Sequence, residues 1–156
     1  MAATTLSELL HSPIPSEAAL WRRFNINEPH HVENVLHDEA TGTPKLKGGA
    51  LDFRGDGCSV FRGDVLEVLN LYPRSVTFDP YLSLASAVAG EVEDFRSGLA
   101  DHESSEFAVV GDPLDPEPGF NAAHTLIQQL GAYSSGGRRR RAQGLLAQRV
   151  FVVHDV

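Results

Sequence analysis

The chain has 156 residues, of which 42% are apolar and 22% charged, and its formal net charge is −8. That length suits one domain with a buried core, and the acidic balance argues against duplex DNA and anionic membranes as partners, because most of the field repels phosphate. No apolar run nears the roughly 20 residues of a membrane helix, the start Met1-Ala2-Ala3-Thr4-Thr5 has no signal-peptide pattern, and the single cysteine, Cys58, excludes an internal disulfide; together these point to a cytoplasmic protein.

In chain order, residues 1–20 read as a short arm or first helix. Thr5 to His11 carries a cap and an apolar pair before the break at Ser12-Pro13-Ile14-Pro15. Ser16 to Phe24 resumes with helical or strand character. Val35-Leu36-His37 and Lys45-Leu46-Lys47 have strand character around a turn-rich connection, and Gly48-Gly49 breaks the second. Cys58-Ser59-Val60-Phe61-Arg62 follows the turn at Gly55-Asp56-Gly57 as a strand. Alternation sets Cys58, Val60 and Arg62 on one face and Ser59 and Phe61 on the other. Asp64 to Leu71 fits a two-turn helix capped by Asp64 and closed by Pro73, with Val65, Leu66, Val68 and Leu69 inward. Ser75 to Phe78 reads as a strand. Tyr81 to Val92 suits either element, and the placement before a polar stretch favours a strand over Ser86 to Val92.

Phe107-Ala108-Val109-Val110 is a strand that stops at the loop Gly111-Asp112-Pro113-Leu114-Asp115-Pro116-Glu117-Pro118-Gly119. A helix is expected from Asn121 to Leu130, then a break at Tyr133 to Gly137, a second helix from Arg138 to Gln148 and a final strand over Arg149 to Val153. The elements lack a β-α-β rhythm, repeats or a linker. The expected fold is α+β: a single globular domain over residues 1–156, with residues 1–15 as a candidate flexible arm, a largely antiparallel or mixed sheet and three to four helices.

His124 is the leading site residue. With Asn121 as N-cap it would lie in a first helical turn, where free N–H groups and the positive dipole end bind phosphate or carboxylate and keep an imidazole neutral. His37, at a strand end, is its candidate acid–base partner. Arg62, a charge closing an apolar strand, is a candidate phosphate clamp or else the partner of Asp64. Asn121 and Ser59 complete the candidate ligand-binding set. Ser59 lacks the G-x-S-x-G elbow and is not read as a nucleophile; Cys58 reads as a small buried hydrophobe. No metal or cofactor is expected. Adjacent His30 and His31 point apart on an extended chain, and Asp112, Asp115 and Glu117 lack calcium-loop spacing. Arg138–Arg141 would spread around a helix axis rather than form a stripe, and has no aromatic platform beyond Tyr133.

No family motif is matched; a comparison with ADP-ribosyl-transfer or RNA-phosphotransfer folds, which use His, Arg and Ser on a split sheet, fails at the motif level. Arginine-rich, lysine-poor composition suggests a GC-rich bacterial genome. Two functional expectations follow. The first is a small acidic interaction or accessory protein of a bacterial conflict or immunity-type system, with a protein partner. The second is an enzyme or binder for a phosphate-containing ligand, a nucleotide or RNA end, with His37, Arg62 and His124 in one cleft.

Overall fold

The computed structural model describes residues 5–26, 34–37, 40–53, 55, 57–114 and 119–155. Its centre is a six-stranded sheet formed by β1 (Ala19–Phe24), β4 (Cys58–Arg62), β5 (Ser83–Val88), β6 (Phe107–Gly111), β7 (His124–Gln129) and β8 (Val152–Asp155). The order across the sheet is β6-β7-β4-β1-β5-β8, and every pairing is antiparallel. A separate two-stranded sheet pairs β2 (Val35–His37) with β3 (Pro44–Leu46). The helices are α1 (Leu6–His11), α2 (Gly63–Val68), α3 (Ala89–Asp94) and α4 (Gly136–Arg149). This is an α+β fold with a mostly antiparallel sheet.

Strand alternation divides the core in two. Leu20, Phe24, Cys58, Val60, Ala85 and Ala87 gather with Val92 of α3 and Leu146 of α4. Their chain neighbours Phe61 and Leu84 point the other way, into a smaller cluster with Val65 and Leu66 of α2 and with Leu9 and Leu10 of α1. The first segment is therefore a helix seated on α2, capped by Thr5, whose Oγ1 accepts from Glu8 N–H at 3.1 Å. Helix α2 ends at Val68, and the chain turns at Asn70, whose φ of 61° is left-handed. The chain closes there with Leu71 N–H donating to the Leu66 carbonyl at 2.8 Å.

Three elements depart from the sequence expectations. Residues 121–130 are not one helix: a 3-10 turn, Gly119–Ala123, leads into strand β7. Thr125-Leu126-Ile127 carries strand-favouring side chains, and β4 and β6 flank it on both sides, so two ladders outweigh the helical spacing of the apolar residues. Strand β5 starts at Ser83 and ends at Val88, and Ala89–Asp94 is helix α3, burying Ala89 and Val92 three positions apart on one face. Residues 73–76 form a 3-10 turn rather than the start of a strand. In α2, Val68 faces outward instead of inward.

Candidate active site

Ser59 lies on β4 on the same sheet face as Phe61, and Phe61 sits directly opposite His124 on β7. The His124 ring reaches the serine: Nε2 is 2.6 Å from Ser59 Oγ. Its other nitrogen, Nδ1, is 3.0 Å from the Asp112 carbonyl oxygen and 3.1 Å from Asp112 Oδ2. Two acceptors and no donor at Nδ1 require the proton there, so Nε2 is the acceptor and the Ser59 hydroxyl donates to it. Asp112 is placed by the sheet itself. It is the first residue after β6, and its N–H donates to the His124 carbonyl at 3.0 Å, one step beyond the Gly111–Thr125 pair. The imidazole is 9% exposed and meets the edge of the Phe61 ring at 5.6 Å. Ser59, His124 and Asp112 thus come together from three neighbouring strands of the sheet, β4, β7 and the end of β6.

Ser59 lines a cavity of about 340 Å³ with Arg22, Arg23, Asp52, Gly57 and Tyr81. The cavity sits where the sheet opens. Pairing of β1 with β4 runs through Leu20–Arg62 and Trp21–Phe61 and then ends. The Arg22 guanidinium takes over, with Nη1 donating to the Ser59 carbonyl and Nε to the Ala50 carbonyl, both at 2.9 Å. Arg23 lies over the Phe78 ring at 4.3 Å and donates from Nη1 to the Val76 carbonyl at 2.8 Å. Among the described residues, both guanidiniums bond neutral carbonyls and neither bonds a carboxylate. Partial burial and the adjacent Arg22 charge hold the Arg23 pKa below its ordinary value. Gly57 closes the floor. Its φ is 145°, and a Cβ there would stand 2.7 Å from the Ile127 carbonyl oxygen.

Of the residues expected from the sequence, Ser59 and His124 are brought together. Asn121 lies in the 3-10 turn before β7, so no helix N-terminus faces His124; the expected anion site there is replaced by the Asp112 contact. Arg62 is 3% exposed, bonds both Asp64 oxygens at 3.0 and 2.7 Å, and reaches the Leu9 carbonyl from Nη1. A guanidinium so occupied is a staple between β4, α1 and α2 and offers no clamp. His37 ends β2 opposite Pro44, on the small second sheet and not on the strands that carry Ser59 and His124. The expected trio of His37, Arg62 and His124 is not assembled. His30, His31, Asp115 and Glu117 lie outside the described residues. Among the described residues no group of three His, Cys, Asp or Glu side chains is arranged around a metal position. Burial pushes the Cys58 thiol pKa up, which keeps it protonated and unreactive.

Arg22, Arg23 and Tyr81 were missed. One signal was available: Trp21-Arg22-Arg23-Phe24 puts two adjacent cations inside an apolar strand segment, which costs desolvation on at least one face unless something requires them there. A second serine–histidine pair shares the sheet. Ser86 Oγ is 2.6 Å from His154 Nε2, with the His154 ring 4.9 Å from Trp21. That pair is solvent-exposed, and Ser86 does not line the cavity at Ser59.

Comparison with protein-family models, curated proteins and solved structures gives no match to this chain.

Proposed function

We propose that the protein is a hydrolase or transferase acting on a phosphate ester, with Ser59 as nucleophile, His124 as general base and acid, and Asp112 as the group that orients His124. The observation that carries this reading is the Ser59–His124–Asp112 relay, with spacings of 2.6 and 3.1 Å, opening on a cavity lined by two arginines. A serine hydroxyl is a weak nucleophile until an adjacent base takes its proton. Here Ser59 Oγ attacks phosphorus while its proton moves to His124 Nε2. The ester P–O bond breaks, and the leaving oxygen receives that proton. His124, neutral again, takes a proton from water or another acceptor alcohol as its oxygen attacks phosphoserine; the P–Oγ bond breaks and His124 returns that proton to Ser59 Oγ. The Asp112 oxygens stabilise the imidazolium formed in between. Arg22 and Arg23 outnumber the one carboxylate among the described lining residues, Asp52, and supply the positive field for the phosphoryl oxygens.

The interaction-module expectation retains net negative charge and exposed apolar side chains such as Tyr72 and Leu82. Tyr72 lines a largely apolar cavity of about 510 Å³ with Trp21, Leu66 and Leu71, but that cavity carries no paired nucleophile and base, so the Ser59 site favours the enzyme.

The test is release of p-nitrophenolate from p-nitrophenyl phosphate, bis(p-nitrophenyl) phosphate and p-nitrophenyl acetate. Release from a phosphate ester is expected, falling about 10³-fold or more in Ser59→Ala and in His124→Ala. Release that survives both substitutions, or none from the native chain, overturns the reading. Release from the acetate alone would keep the nucleophile and remove the phosphate class.

A further inference from the structure

The cavity at Ser59 does not stand alone. A second cavity, of about 300 Å³, is lined by Arg22, Phe24, Asn25, Asn34, Gly49, Ala50, Leu51, Asp52 and Tyr81. The two share Arg22, Asp52 and Tyr81. Volumes of this size suit small-molecule sites, and their chemistry differs. The Ser59 side has two guanidiniums, the Asp52 carboxylate and the Ser59 hydroxyl. The other side shares Arg22, Asp52 and Tyr81 and adds Phe24, Asn25, the main chain of 49–51 and the buried Asn34, whose Nδ2 donates to the Asn25 carbonyl at 2.6 Å. A phosphate alone would use only the first.

At the boundary stands Tyr81. Its side chain is 42% exposed and meets the Phe78 ring edge-on at 5.5 Å, and Phe78 in turn lies on the Arg23 guanidinium. The tier of Arg23, Phe78 and Tyr81 fixes an aromatic wall beside the cationic end of the site. Such rings are stacking platforms for nucleobases.

We infer that the substrate is a nucleotide whose phosphate lies among Ser59, Arg22 and Arg23 and whose nucleoside enters the adjoining Asn25–Asn34–Asp52 cavity against Tyr81. This rests on the phosphate-ester reading and names its substrate class. Arg22 spans the two parts: Nε and Nη1 are fixed on carbonyls, and Nη2 makes no hydrogen bond among the described residues. Its N–H groups remain for the ligand.

The experiment is calorimetric titration of the catalytically silent Ser59→Ala chain with AMP, CMP, GMP and UMP, and in parallel with ribose 5-phosphate and inorganic phosphate. At least one nucleotide is expected to bind about tenfold or more tightly than ribose 5-phosphate. Adding Tyr81→Ala should cut nucleotide affinity about tenfold or more and ribose 5-phosphate affinity far less. Equal affinity for nucleotides, sugar phosphate and phosphate would overturn the inference while phosphatase activity stood. No binding by any nucleotide would overturn it as well. Nucleotide binding that depends on Tyr81, in a chain that cleaves no p-nitrophenyl ester, would keep the ligand class and sink the catalytic reading.

Discussion

The His124 imidazole is held on its far side by two oxygens of one residue, the carbonyl and the carboxylate of Asp112. The carbonyl belongs to a backbone pinned into the β6–β7 ladder and survives any side-chain change. It alone fixes the proton on Nδ1. Asp112→Asn should therefore remove the charge that stabilises the imidazolium and leave the tautomer intact. A loss of about 10- to 100-fold in kcat is expected, much smaller than for His124→Ala, because losing the correct tautomer is the larger part of such defects. Steady-state kinetics on a p-nitrophenyl phosphate ester checks it, and equal losses in the two variants would count against the carbonyl's role. Arg22→Lys makes a contrasting case. An ammonium can satisfy one of the two carbonyls at Ala50 and Ser59 but lacks the fork that reaches both and still presents an N–H to ligand. It should raise KM for the ester about tenfold or more with a smaller effect on kcat.

At the scale of elements, the site exists because β1 and β4 part after two residue pairs, while β4 stays paired to β7 across the whole of Cys58–Phe61. Gly57 sits at that junction. Gly57→Ala would force a side chain into both an unfavourable φ and the Ile127 carbonyl. A loss of roughly 2–3 kcal/mol in urea unfolding is expected, with activity falling as β4 is displaced from β7. Much of this frame was legible in the sequence. Strand alternation placed Ser59 and Phe61 together and away from Val60, and the apolar run ended in the loop that supplies Asp112. The helix expected from Asn121 was not correctable by local reading. The spacing of Ala122, Leu126 and Ile127 is helical, and only the presence of β4 and β6 on either side makes the strand the better state. His124 was singled out, but for a dipole that the fold does not provide. Ser59 is not read as a nucleophile from the sequence because the familiar elbow motif is missing; its hydroxyl meets a histidine 65 residues away, a contact that no local pattern reveals. Arg138–Arg141 is the opposite case. The run forms the exposed first turns of α4 behind a Ser135 cap, as a solvated helix start should.

At the scale of the whole molecule, a second polar network sits at the start of β6, the strand whose other end leads to Asp112. Glu106 is 1% exposed, yet accepts from Ser97 N–H at 2.6 Å, from the Ser97 hydroxyl at 2.7 Å and from the Tyr133 hydroxyl at 2.8 Å. Burial alone would raise its carboxyl pKa. The Ser97 and Tyr133 bonds, with Arg96 nearby, outweigh burial and hold it below the ordinary 4.5. The folded state therefore binds this proton less readily than the unfolded chain. The group's stabilisation is complete above about pH 4.5 and is lost as pH falls through the lowered folded value. Glu106→Gln should cost about 2–4 kcal/mol at pH 7, and the gap to the native chain should narrow below pH 4, both read from urea melts. The reverse holds for its partner. Burial, together with the bond to Glu106, pushes the Tyr133 phenol up to about 12. An ultraviolet titration should show a tyrosine step near that pH, and Tyr133→Phe should remove it.

The exposed pair of Ser86 and His154 gives this chain an internal standard. Its hydroxyl-to-imidazole spacing, 2.6 Å, is the same as at Ser59. Among the described residues no carboxylate backs the His154 ring, and Ser86 does not line the arginine-bearing cavity. A serine-directed electrophile therefore runs two reactions at once on a single molecule, under one pH, one temperature and one reagent concentration. The ratio of adducts at Ser59 and Ser86, counted by peptide mass spectrometry, would report how far orientation and field at Ser59 exceed mere contact with a histidine, with no second protein needed for reference.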